Sequence, residues 1–191
     1  FNNLGYYIET KIDELKHNYN LTNLARTGNK IRNKFLNGNF PTALSMEILE
    51  AYKELSNQYL EVDGTPQENT DVAVRSSGTA EDLPDASFAG QQETYLNVRN
   101  NNELLHSIKK CFASLYTDRA ISYRTTKQIN CEIKLSVGVQ KMVRSDLGSA
   151  GVAFSIDTES GYDKIIVING AFGLGEIVVS GQIKPDEILV F

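Results

Sequence analysis

The sequence predicts an α+β domain in which helices cover a mixed or antiparallel sheet. Three observations lead there. Apolar residues recur at helical spacing through residues 8–60 and again through 104–127. From Lys134 onward the period shortens to two. Turn-forming clusters separate these segments into the order helices, strand, helix, strands. The 191 residues are enough for one domain with a core, or one and a fraction. We expect a helical lead-in over 1–62 and a mixed part over 63–191.

In the lead-in, Ile8, Ile12 and Leu15 fall at helical spacing, and Leu21, Leu24, Ile31 and Phe35 continue it until Asn37-Gly38-Asn39 breaks it. Pro41 stands where a helix can start, since its missing N–H would have no partner there. Leu44, Ile48, Tyr52, Leu55 and Tyr59 then trace one apolar stripe, with Glu47, Glu50, Lys53 and Glu54 largely off it. These helices read as cover for something else. Asp63-Gly64-Thr65-Pro66 is a turn cluster. Val72-Ala73-Val74 is a short apolar strand with Arg75 at its end, and Thr94–Val98 alternates as a second strand. The Asn100-Asn101-Asn102 run offers a helix cap before Leu104, Leu105, Ile108, Phe112, Leu115 and Tyr116. A further helical piece carries Ala120, Ile121 and Tyr123 to about Lys127.

Leu135, Val137, Val139, Lys141 and Val143 alternate with Ser136, Gly138, Gln140 and Met142, which predicts a strand. Gly151–Ile156 and Lys164–Ile168 read as a hairpin turned through Glu159-Ser160-Gly161. Gly170–Glu176 is expected to be a glycine-rich bend, followed by the apolar runs Ile177–Val179 and Ile188–Val190.

A hydrophobic content of 41% and a charged content of 23% are ordinary for a soluble globular protein. No run approaches the roughly 20 apolar residues that span a bilayer, and the first residues lack the pattern of a signal peptide. No membrane partner is expected. The net charge of −5 argues against a nucleic-acid partner, whose grip needs a concentrated basic face. It leaves room for a nucleotide, which needs only a few local cations. Two cysteines, Cys111 and Cys131, without a secretory signal read as reduced and cytoplasmic. The chain lacks an initiator methionine and reads as a fragment of something longer or a processed product.

Several chemical devices are missing from the sequence: no phosphate-binding G-x-x-x-x-G-K-[ST] run, no HExxH, no CxxC, and no third glycine after Gly173-Leu174-Gly175. His17 and His106 fall on predicted helices and read as surface or packing residues, and Ser76-Ser77 reads as a turn or a backbone cap. The stretch Val72–Val98 holds more promise. A strand that ends in an arginine and faces a glycine-containing loop rich in backbone N–H groups can hold a phosphate. An ion pair between Arg75 and Glu81 or Asp82 fits the same pattern, and Gly90 can equally supply a turn. The strand end Gln140–Val143 can present backbone groups and an apolar wall to a planar ring, or be an ordinary edge strand.

VAVRSSGTAEDLPDASFAGQQETYLNV (72–98) closely resembles the signature of the nucleotide-binding domain of the phosphoenolpyruvate synthase (pyruvate, water dikinase) family. The resemblance continues through IKKCFASLYTDRAISYR (108–124), LSVGVQKMVRSD (135–146) and GLGEIVVSGQIKPD (173–186). Rifamycin-type antibiotic phosphotransferases are similar over the same region, and a non-catalytic nucleotide-sensing module is a third alternative. What the resemblance implies is an ATP-grasp-like domain with ATP as ligand. Arg75 would contact the phosphates, as would Gly90, Gln91, Gln92 and Thr94 in a loop over 87–94. Gln140, Lys141, Met142 and Val143 would form the adenine hinge, and Glu176 is a further candidate.

The family reaction turns ATP, pyruvate and water into AMP, phosphoenolpyruvate and phosphate by way of a phosphohistidine. Pyruvate and the phosphohistidine domain of the same polypeptide are therefore the implied partners of the intact enzyme. The family's lysine-bearing glycine motif, its acidic pair for Mg²⁺ and its Gln-x-Arg strand do not occur in these 191 residues. We therefore expect the Mg²⁺ ligands outside this chain, and weak ATP binding at most by the chain alone. Gly78 stands where the family often has alanine.

Overall fold

The computed structural model describes residues 4–61, 63–79, 82–83, 86–87, 93–127 and 133–191. The chain forms two compact units, Phe1–Met142 and Val143–Phe191.

The first unit begins with three helices, α1 (Leu4–His17), α2 (Leu21–Asn37) and α3 (Thr42–Asn57). Local chemistry sets their ends. The Asn20 side-chain oxygen accepts the Asn23 N–H at 2.8 Å, which caps α2. At the other end the Gly38 N–H donates to the Lys34 carbonyl, where the Asn-Gly-Asn break was expected. Pro41 is the residue before α3, as its position suggested. Leu24 and Ile31 face inward, but Leu21 opens α2 and is exposed, so it does not share the buried stripe assigned to it.

Three strands follow in the first unit's main sheet: β1 (Val72–Gly78), β4 (Thr94–Val98) and β5 (Leu135–Lys141). Two short strands, β2 (Asp82–Leu83) and β3 (Ala86–Ser87), pair with each other. The sheet order is β4-β1-β5, and both pairings are antiparallel. Between β4 and β5 run α4 (Asn101–Ser114) and α5 (Asp118–Thr126). Asn100 caps α4 by accepting the Glu103 N–H at 3.1 Å, while Glu103 reaches back to the Arg99 N–H at 2.8 Å. This reciprocal arrangement satisfies two donors at the turn that redirects the chain from sheet to helix.

One face of the sheet is covered by the core, and on the other Arg75, Ser77, Ser136, Gly138 and Gln140 are exposed while Ala73 is buried. Val72, Val74 and Val98 pack with Tyr52 of α3 and with Leu104, Ile108 and Cys111 of α4, while Val137 and Val139 of β5 lie against the same cluster. Burial of each large side chain contributes about 1.5–3 kcal/mol. The Tyr52 hydroxyl donates to the Thr70 carbonyl at 2.6 Å, and Ser56 links the Tyr52 carbonyl to the Thr70 N–H. These bonds tie α3 to the segment entering β1. Cys111 is a free thiol in this core, with its sulfur 3.8 Å from the Val74 carbonyl oxygen. The other cysteine, Cys131, lies outside the described residues. A second cluster of Leu15, Leu24 and Ile121, flanked by Ile12 and Tyr116, holds α1, α2 and α5 together.

Two local readings need correction. β1 does not stop at Val74 but runs to Gly78, so Arg75 sits inside the strand. Ser76 and Ser77 pair with Val137 and Ser136 and are ladder residues, not a turn. Polar residues on an open sheet face carry no apolar signal, which is why the strand looked shorter in the sequence.

The second unit is a sheet of β6 (Ser149–Phe154), β7 (Ile166–Phe172) and β8 (Asp186–Val190) in that order, all antiparallel. A 3-10 turn (Ser145–Leu147) precedes it, and α6 (Glu176–Val179) connects β7 to β8. The expected hairpin is β6–β7. Its turn is built by Asp157, whose carboxylate accepts the Glu159 N–H at 3.0 Å, and by Gly161 at φ 76°. Gly170, Ala171 and Phe172 are strand, paired with Gly151, Ala150 and Ser149, and the bend starts only at Gly173 with φ 94°. Gly151 is demanded by close backbone approach: a Cβ there would come within 2.1 Å of the Asn169 carbonyl oxygen.

Candidate functional site

The alternation of β1 and β5 sorts their side chains into two sets. Val72, Val74 and Ser76 share a face with Leu135, Val137, Val139 and Lys141, on the side of the core. Ala73, Arg75 and Ser77 share the other face with Ser136, Gly138 and Gln140. Register places Arg75 directly between Thr94 on one neighbour and Gly138 on the other. Arg75 is exposed, and its Nη1 donates to Gln140 Oε1 at 3.4 Å. The face turned away from the core therefore gathers a guanidinium, three exposed hydroxyls (Thr94, Ser77 and Ser136) and an amide.

No carboxylate forms an ion pair with Arg75 among the described residues. Glu93 is adjacent to Thr94, but its carboxylate accepts the Tyr95 hydroxyl, and the Tyr95 ring packs against the core. Of the two expected competitors, Glu81 lies outside the described residues and Asp82 is described only in its backbone. A guanidinium held this way keeps its charge and most of its donors, and can clamp an oxyanion in two-point fashion.

The adenine-hinge candidates separate. Gln140 is on the Arg75 face. Lys141 turns the other way, is 17% exposed, and forms an ion pair with Asp71, which is 9% exposed. Its amine also lies 5.3 Å from the Tyr59 ring centroid. Burial alone would push the Asp71 carboxyl up. Hydrogen bonds from Lys141 and its own backbone, with the charges of Lys141 and Arg99, outweigh this and hold it below the usual range. Met142 is buried, and its N–H donates to the Asp71 carbonyl at 3.0 Å. Val143 is 80% exposed and begins the second unit, so the alternation that puts it in phase with Val139 has already ended at Lys141.

Gly90, Gln91 and Gln92 lie outside the described residues. Glu176 is exposed and is the first residue of α6 in the second unit, where its carbonyl accepts the Ser180 N–H at 2.9 Å.

Sequence reasoning missed Ser77, Ser136 and Gly138 on the Arg75 face, and Asp71 on the other. The alternation of β5 already placed Ser136, Gly138 and Gln140 together, but the face they shared needed the pairing with β1. Two concavities of the first unit lie elsewhere. One of about 510 Å³ is lined by Phe35, Phe40, Leu44, Lys109 and Phe112 among others. The other, of about 600 Å³, includes Arg32, Tyr95, Lys110 and Arg119. Neither is lined by Arg75, Thr94 or Gln140.

A family model described as pyruvate phosphate dikinase, AMP/ATP-binding domain, matches residues 2–191. The chain belongs to this family. It is similar to the phosphoenolpyruvate synthase of Helicobacter pylori, with 54% identity across 95% of this chain and 22% of that protein. It is 50% identical over its whole length to the phosphoenolpyruvate synthase of Aquifex aeolicus, again 22% of that protein. For that of Escherichia coli the identity is 51% across 95% of this chain and 21% of the relative. The chain thus spans about a fifth of the length of the curated relatives it matches. Within this family the mixed helix and antiparallel-sheet architecture is an ATP-binding one, and the α+β expectation holds at that level.

Proposed function

We propose that this chain is the nucleotide-binding part of a phosphoenolpyruvate synthase, with an ATP-grasp-like fold. In that enzyme ATP, pyruvate and water give AMP, phosphoenolpyruvate and phosphate, through a phosphohistidine carried by another domain of the same polypeptide in the cytoplasm. The observation that carries the reading is the Arg75 face: a guanidinium with no carboxylate partner among the described residues, beside Thr94, in a chain that matches an AMP/ATP-binding family throughout. The names of the relatives favour the synthase over an antibiotic phosphotransferase or a nucleotide sensor.

In this reading Arg75 clamps the phosphates in two-point fashion and Thr94 donates its hydroxyl to them. Gly90, Gln91 and Gln92 supply backbone and amide donors to the same phosphates. Gln140, Lys141, Met142 and Val143 offer their backbone edge to adenine, and Glu176 orders the bend at Gly175. Phosphoryl transfer asks little covalent chemistry of the protein, so positioning and neutralising the phosphoryl oxygens is most of the task. A Mg²⁺ ion would neutralise phosphate charge. Among the described residues no group of three or more His, Cys, Asp or Glu side chains is arranged to hold one.

The test is Arg75→Ala in the full-length protein. Loss of the clamp removes about 3–5 kcal/mol of transition-state stabilisation, which slows turnover of ATP with pyruvate by roughly two to four orders of magnitude while circular dichroism stays unchanged. Near-normal turnover overturns the assignment.

A further inference from the structure

We infer that Gln140 is a positioning residue for Arg75, and that Gly138 and Ala73 keep clear the path along which the two side chains meet. The inference rests on the reading of Arg75 as a phosphate ligand, and gives Gln140 a side-chain role apart from any backbone contact with adenine.

The argument is one of register. Arg75 stands opposite Gly138, and Gln140 stands opposite Ala73. These four residues make a square on the sheet face turned away from the core, where Arg75, Gly138 and Gln140 are exposed and Ala73 is buried. Arg75 and Gln140 occupy one diagonal, joined by the hydrogen bond at 3.4 Å, and the smallest residue types occupy the other. Diagonal neighbours in an antiparallel pair are within reach only of long side chains, and a branched side chain at either remaining corner would stand beside the bond.

Gly138 has no other evident reason to be glycine. Its φ is not in the left-handed region, and a Cβ built on it would meet only the Arg75 carbonyl oxygen, at an ordinary 3.9 Å. Neither backbone conformation nor tight packing requires it. What it supplies is clear space above the strand, beside the guanidinium.

The chemistry of the partner matters as well. An exposed arginine on a flexible stem visits many rotamers, and a partner that selects one of them pre-organises it for the ligand. A carboxylate would do this too, but would neutralise the guanidinium and compete with phosphate. An amide oxygen accepts one N–H, leaves the charge intact, and leaves the remaining donors of the fork free. Gln140 therefore fits a device that aims Arg75 without quenching it.

A double-mutant cycle on the full-length protein tests this, with the ATP dissociation constant read by calorimetry. Gln140→Leu is expected to raise that constant about tenfold, the effect of losing one hydrogen bond's worth of orientation, and Gly138→Val to raise it in the same direction. In an Arg75→Ala background Gln140→Leu should have no further effect, because it acts through the arginine. Thermal unfolding should stay unchanged in each variant. The inference is overturned if Gln140→Leu weakens ATP equally with and without Arg75, as a direct contact with the nucleotide requires. It is also overturned if Gln140→Leu has no effect on wild-type affinity. Arg75→Ala with unchanged ATP affinity is a different outcome and removes the phosphate reading itself.

Discussion

Replacing Lys141 with methionine keeps most of the apolar stem of the side chain and removes its ammonium group, leaving Asp71 in a site where its side chain is only 9% exposed. Breaking one side of a buried ion pair costs about 3–5 kcal/mol, because the remaining charge is left uncompensated. Here the lower end applies: Arg99 still acts on Asp71 by its charge, and the Asp71 backbone still donates to the carboxylate. A loss of about 3 kcal/mol is roughly a hundredfold rise in the opening constant of the β1–β5 ladder. Hydrogen exchange read by mass spectrometry on peptides covering 72–78 and 135–141 measures this directly. The added substitution Asp71→Asn should recover part of the loss, since no bare charge then remains. The pH dependence follows from the depressed Asp71 carboxyl. Its stabilising contribution is fully present above the unfolded value near 3.9 and fades as pH falls through the lower folded value. Repeating the exchange at about pH 3.5 should therefore narrow the gap between wild type and Lys141→Met. Unchanged exchange in Lys141→Met, together with weakened ATP binding, would refute the reasoning and assign the Lys141 side chain, not only its backbone, to the nucleotide.

Other expectations concern packing. Leu104 is fully buried between β1 and α4, and Leu104→Ala should destabilise the first unit by about 2–5 kcal/mol in urea unfolding followed by circular dichroism. Gly151→Ala forces a methyl group into the Asn169 carbonyl, so β6 and β7 must part. We expect a loss of about 1–3 kcal/mol or more, read as faster hydrogen exchange in 166–172 with no change in 72–78.

The sequence disclosed what repeats and what caps. α2, α3 and α4 follow apolar spacing, and Asn100 marks the start of α4 because an asparagine there can satisfy a free N–H. β5 was visible because its covered and open faces alternate residue by residue. The rest depended on partners that no single strand reveals. β1 looked short because Arg75, Ser76 and Ser77 are polar, and only pairing to β5 identifies them as strand. Gly170–Phe172 looks like a bend in the sequence because Gly170 reads as a turn former together with Gly173 and Gly175, whereas Gly170 sits opposite Gly151 in a tight ladder. Lys141 was the most instructive case. Its phase with Val137 and Val139 already placed it on the covered face, where a lysine needs a carboxylate, but Asp71 is 70 residues away in the chain. The site was legible in the same partial way: Arg75, Thr94 and Gln140 could be singled out one by one, while their common face is a property of the sheet.

The thiol of Cys111 offers a use for that core beyond packing. It is inaccessible in the folded unit, and burial, with a further push from the Glu93 charge, raises it to about 11, so at neutral pH it is neither exposed nor ionised. A thiol reagent can reach it only in molecules whose sheet and α4 have come apart. The rate at which Cys111 is alkylated, followed by peptide mass spectrometry, is then a clock for rare openings of the first unit. Ligands that bind the native wall slow that clock, and variants that loosen the wall quicken it, with no need for an enzymatic assay.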